Sequence, residues 1–253
     1  MPSDGDALLK VICERPREDT PRLMYADWLD EHGDRLRADF IRFQIEFPRW
    51  STSHPRYAEL SARDDTFESA RPKWIGMLAH PSGVKYVDPV GWDRGFMAWV
   101  QFRNTKVFVE SAGDVFSATP VTTLDVSGVT GGTVDRVLGS PLVARVKRLF
   151  LHGELGPRVA LEIATCARLS QLETLHVWGG CPDAGAESLA ASPNLGALKV
   201  LSFSGHTLSD RGLLALVDSA ALAALSRVVL NGAPGISKRV LARAKRRFAE
   251  LVV

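Results

Sequence analysis

The sequence predicts an α/β fold: an arc of repeated strand-and-helix units behind a small all-α N-terminal module. Three observations carry that expectation. Apolar residues recur at helical spacing through residues 7–47. Five segments in the second half align without gaps at one regular period. A composition of 45% hydrophobic and 24% charged residues is enough to build a core and argues against wholesale disorder.

The helical module is read first. Ala7, Leu8, Val11 and Ile12 give an amphipathic pattern that stops at Pro16. Asp19 or Thr20 caps a second helix, with Pro21 in its first turn and Gly33 at its end. Leu23, Met24, Ala26, Trp28 and Leu29 supply its apolar side. Ala38, Phe40, Ile41 and Ile45 mark a third helix, and residues 55–79 a fourth, less regular one. The module therefore spans residues 1–79, with 80–95 a linker or loop. Asp27 and Arg42 are expected to form an ion pair between two of these helices, since charges in a core are normally paired.

The string DTPRLMYADWLDEHGDRLRADFIRFQ, residues 19–44, resembles the bacterial repeat-companion domain. Arg22, Tyr25, Asp27, Trp28, Gly33, Arg37, Phe40 and Gln44 are among the residues that carry the likeness. The resemblance covers about a tenth of the chain. It implies that repeats follow, and it implies no chemistry.

The repeats are VTTLDVSG (121–128), VKRLFLHG (146–153), LETLHVWG (172–179), LKVLSFSG (198–205) and LSRVVLNG (225–232). Leu124, Leu149, Leu175, Leu201 and Val228 occupy one position, and their numbers differ in turn by 25, 26, 26 and 27. Strands of the LxxLxL type at this period, alternating with helical segments such as 183–195 and 209–222, resemble ribonuclease-inhibitor-type leucine-rich repeats. That resemblance implies a leucine-rich-repeat solenoid with a parallel concave sheet and outer helices over residues 96–235. MAWVQF (97–102) is a degenerate opening strand, and residues 236–253 hold a capping helix over 236–251 with Leu241, Ala244, Phe248 and Leu251 on one side. A single unit cannot bury its own apolar face, so neighbours must stack.

If the leucines face the core, the residues between them face outward on the sheet. Three columns result: Thr123, Arg148, Thr174, Val200, Arg227; Asp125, Phe150, His176, Ser202, Val229; and Ser127, His152, Trp178, Ser204, Asn231. Arg148, Phe150, His152, His176 and Trp178, with Asp125 beside them, make an aromatic and basic cluster where smaller polar residues would suffice. Binding hot spots favour such residues, so the expected function is non-catalytic binding of another protein on this face, as an accessory or regulatory subunit. The alternative is a nucleic-acid-binding accessory protein. Residues 1–93 carry 13 Lys and Arg against 17 Asp and Glu, and residues 94–253 carry 18 against 12. The stretch 238–250 supplies five of that net six positive charges, and Lys238, Arg239, Arg243, Arg246 and Arg247 are its candidate phosphate contacts.

No nucleophile elbow, P-loop or HExxH motif occurs, so no enzyme activity, cofactor or metal is expected. His152, His176 and Cys181 match no zinc spacing. Three scattered cysteines, the absence of a membrane-length apolar run, and a polar, acidic start without a signal-peptide pattern point to a cytoplasmic protein with no membrane partner.

Overall fold

A computed structural model of the chain describes residues 3–46, 66–78, 81–86, 91–153, 156–205, 207–231 and 235–253. The fold is α/β, built on a mostly parallel sheet of eight strands that does not close. The chain divides into two compact units, residues 1–100 with 111–122, and residues 101–110 with 123–253.

The first unit opens with three helices. Helix α1 (Asp4–Glu14) starts in a capping box: Ser3 Oγ accepts the amide of Asp6, whose carboxylate accepts the amide of Ser3. Helix α2 (Thr20–Glu31) carries Pro21 in its first turn. Asp34 accepts the Arg37 amide at the start of α3 (Arg35–Glu46). Ile12, Ala26, Leu29, Ala38, Ile41 and Ile45 are buried together with Phe96. Arg42 joins α3 to α2, contacting Asp27 at 2.6 Å and Asp30 at 2.7 Å. The expected Asp27–Arg42 pair is thus present, in a half-exposed cluster of four that also includes Asp39, 3.9 Å from Arg42.

Of the fourth helical stretch, residues 55–65 and 79 lie outside the described residues, and α4 (Arg71–Gly76) lies in the described part. The segment expected as a loop over 80–95 instead holds β1 (Val84–Tyr86) and half of an antiparallel hairpin, β2 (Trp92–Asp93) with β3 (Phe96–Met97). Its turn residues Arg94 and Gly95 both have positive φ, the conformation that a two-residue hairpin favours. The buried Arg22 and the half-buried Arg37 meet Phe96. The Arg22 guanidinium lies 5.0 Å and that of Arg37 5.4 Å from the ring centroid. Arg37 also lies over Phe40, Trp74 and Trp92, with no ion pair among the described residues. Burial lowers both arginines to about 10, so they stay charged at neutral pH.

The sheet order is β1, β4 (Trp99–Phe102), β5 (Thr123–Val129), β6 (Arg148–Gly153), β7 (Thr174–Trp178), β8 (Val200–Ser204), β9 (Arg227–Leu230) and β10 (Glu250–Val252). Strands β5 to β10 pair in parallel. Helix α5 (Thr105–Ala118) sits between β4 and β5; the buried spacing Phe108, Ala112, Val115, Phe116 is its signal, which the repeat pattern masks. Helices α6 (Val134–Leu138), α7 (Pro157–Thr165), α8 (Asp183–Ala190), α9 (Asp210–Asp218) and α10 (Lys238–Arg247) follow β5 to β9 in turn.

Register fixes the core. Leu124, Leu149, Leu175, Leu201 and Val228 pair strand to strand, each wholly buried. Side chains tie successive units on the helical side. Asp183 accepts the amides of Ser209 (2.8 Å) and Gly212 (3.0 Å), and Asp210 accepts that of Ser237 (2.6 Å). Ser192 and Ser219 donate to Ala164 O and Ala190 O, each at 2.5 Å.

The chain end differs from the expected capping helix over 236–251. The helix stops at Arg247, Phe248 turns into extended backbone with its ring buried, and β10 pairs with β9. The Glu250 amide donates to Ser226 O at 3.0 Å and its carboxylate meets Arg227 at 3.2 Å. Main-chain pairing at an open strand edge outweighs one more helical turn.

Glycines end successive strands. A Cβ on Gly179 (φ +119) would fall 1.4 Å from Gly153 O, and one on Gly153 (φ +151) 2.0 Å from Val129 O. Gly179→Ala is expected to destabilise the protein by at least about 2 kcal/mol, through left-handed strain and a backbone clash. Gly196→Ala, with its nearest neighbour at 3.9 Å and no positive φ, should stay within about 0.5 kcal/mol of wild type. Urea unfolding of both variants checks the contrast.

Candidate interaction site on the sheet face opposite the leucines

The site grows from the columns that the register imposes. Phe150 pairs with His176, and His152 with Trp178. Side chains at paired positions on neighbouring parallel strands stand about 4.8 Å apart, which is close to ring-stacking distance. The four rings accordingly stack. Phe150 and His176 lie 4.4 Å apart at 4°, and His152 and Trp178 4.1 Å apart at 16°. Across the two columns, Phe150–Trp178 and His176–Trp178 stand at 6.1 and 5.8 Å with tilts of 24° and 20°.

The structure therefore brings Phe150, His152, His176 and Trp178 together. Their exposures differ. Phe150 is 9% and Asp125 6% exposed, so both support the site from within. His152, His176 and Trp178 are half-buried, and Arg148, paired in register with Thr174, is exposed without an ion pair among the described residues. The ring faces cover one another, which leaves mainly ring edges for a partner. The second face of Trp178 lies toward Ser204, whose hydroxyl accepts from Asn231 at 2.6 Å.

One expected column member is displaced. The gapless alignment sets Ser127 beside His152, but β5 carries an extra residue between Val126 and Val129, and Val129 pairs with Gly153. Gly128, at φ +64, lies inside that bulge. His152 Nε2 instead stands 3.1 Å from Asp125 Oδ1. Both atoms are sealed from solvent, and neither has a hydrogen-bond partner among the described residues. Gln101, which the sequence did not single out, donates to Asp125 Oδ2 at 3.2 Å and fixes that carboxylate.

Burial, with the charges of Arg227 and His152 adding to it, lowers His176 from its ordinary value of 6.5. A neutral imidazole suits a stack against Phe150. Cys181 is buried and its thiol is pushed up to about 12, so it is protonated at neutral pH. No group of three or more His, Cys, Asp or Glu side chains that could hold a metal ion occurs among the described residues. No helix among the described residues is long and apolar enough to cross a membrane.

The basic residues of α10 divide by use. Arg247 donates to Leu225 O (3.0 Å) and Leu222 O (3.1 Å), and Arg243 pairs with Asp218. Lys238, Arg239 and Arg246 are exposed with no ion pair among the described residues.

No protein-family model matches the chain, and no curated protein matches it.

The lowered His176 value has a pH consequence. The unfolded chain binds this proton more readily than the folded one. The associated stability is complete above about pH 6.5 and is lost as pH falls toward the folded value. His176→Phe keeps a ring against Phe150 and removes the titration. Urea unfolding at neutral and mildly acidic pH should show a smaller acid loss in the variant than in wild type; an equal loss in both would count against this assignment.

Proposed function

We propose that this chain is a non-catalytic binding protein whose sheet face, opposite the leucine row, holds another protein. The observation that carries the reading is the ring stack of Phe150, His176, Trp178 and His152, half-open to solvent beside the exposed cation Arg148. Rings that already lock one another lose little further freedom when a partner docks, and such preorganisation favours affinity. Trp and Arg are also the residues on which binding energy concentrates. The half-buried Ser204, with the exposed Asn231 hydrogen-bonded to it, supplies a polar surround beside Trp178.

The regular period and the LxxLxL segments support reading the second unit as a leucine-rich-repeat solenoid. The likeness of residues 19–44 to the repeat-companion domain supports the same assignment, since that module precedes repeats. On this reading the protein is a cytoplasmic accessory or regulatory subunit, and it catalyses nothing itself.

The test is affinity capture from lysate of the source organism, followed by calorimetric titration of the purified partner. Trp178→Ala is the informative variant, because Trp178 is half-exposed whereas Phe150 is buried in the support. A hot-spot loss of about 2 kcal/mol, roughly 30-fold in affinity, is expected with unchanged circular dichroism. Unchanged affinity for every captured partner would overturn the assignment of this face.

A further inference from the structure

We propose that the groove between α9 and α10 is a second docking site, and that it takes an acidic peptide segment carrying an aliphatic anchor residue. The groove has a volume of about 400 Å³. Leu214 and Val240 supply its apolar lining, and Arg239, Arg243 and Arg246 line it from α10. These arginines follow one another at i, i+4 and i+7, which puts them in one stripe about 10 Å long on one side of the helix.

The end-capping role of α10 does not account for this stripe. Capping uses the buried Val240, Ala244 and Phe248, and Arg247, which satisfies the carbonyls of Leu222 and Leu225. Arg239 and Arg246 serve none of these contacts. They are exposed, without an ion pair among the described residues, and Lys238 and Lys245 add like charge beside them. Concentrating six cations in one short helix is unfavourable by itself, because like charges on neighbouring turns repel.

The middle arginine shows what the others lack. Asp218 of α9 already places a carboxylate on Arg243. An incoming segment with carboxylates on either side would extend that pairing to Arg239 and Arg246, while its aliphatic side chain covered the half-buried Leu214. One feature favours a peptide over nucleic acid: among the described residues the groove lining holds no aromatic ring on which a base would stack, whereas Leu214 offers an apolar contact to an aliphatic side chain.

The experiment selects a phage-displayed library of random dodecapeptides on the full chain, beside the double variant R239E/R246E, L214Q and W178A. Each variant is first checked by circular dichroism. The expected winners carry two or more Asp or Glu flanking a Leu, Ile or Val. They should bind R239E/R246E and L214Q at least tenfold more weakly and W178A as tightly as wild type. Failure to enrich such peptides, or equal binding to R239E/R246E, overturns the proposal. A short oligouridine that binds through the same arginines more tightly than any selected peptide also overturns it, in favour of a nucleic-acid surface. The W178A arm separates this groove from the ring stack, since peptides held on the sheet face would be lost there alone.

Discussion

The second unit depends on parallel strands stacked in strict register. The glycines that end the strands show how close that stacking is: no Cβ fits on Gly179 without entering Gly153 O. Register holds because a slip by one residue would turn the wholly buried Leu124, Leu149, Leu175 and Leu201 out of the core. Asp183, Asp210, Ser192 and Ser219 reinforce it from the helical side, each satisfying backbone groups of a neighbouring unit.

The candidate site is a by-product of that register. Pairing Phe150 with His176 and His152 with Trp178 leaves flat side chains almost no arrangement except stacking. The same rule gives the face its grading. The small, half-buried Ser204 leaves room beside Trp178, whereas Ser202, Asp125 and Phe150 are closed in. The protein thus holds aromatic edges and a cation in fixed positions without a specialised loop.

The first unit is organised differently, around charge within aromatic packing. Arg22, buried, and Arg37, half-buried, keep their charge against Phe96, and Arg37 has Phe40, Trp74 and Trp92 around it and no ion pair among the described residues. Both arginines are legible in the string 19–44, but their role is not. Trp74, Trp92 and Phe96 lie far beyond α3 along the chain, and no local periodicity links them to it.

The sequence by itself determined the helical character of the first unit's opening, the leucine row, the glycine column and the pairing of the four rings. Each of these follows from a local rule: helical apolar spacing, a regular repeat period, or the alternation of side chains along a strand. Only the tertiary structure decided which members of the columns reach solvent, that an extra residue at Ser127–Gly128 takes Ser127 from its column, and that the chain ends as strand β10. It also separated Arg243 and Arg247, engaged by Asp218 and by two carbonyls, from Arg239 and Arg246. The physical reason is common to all of these. Exposure, strand-edge pairing and ion pairing depend on neighbours a full repeat away in the chain or further, which a local pattern brings into the same neighbourhood but does not place.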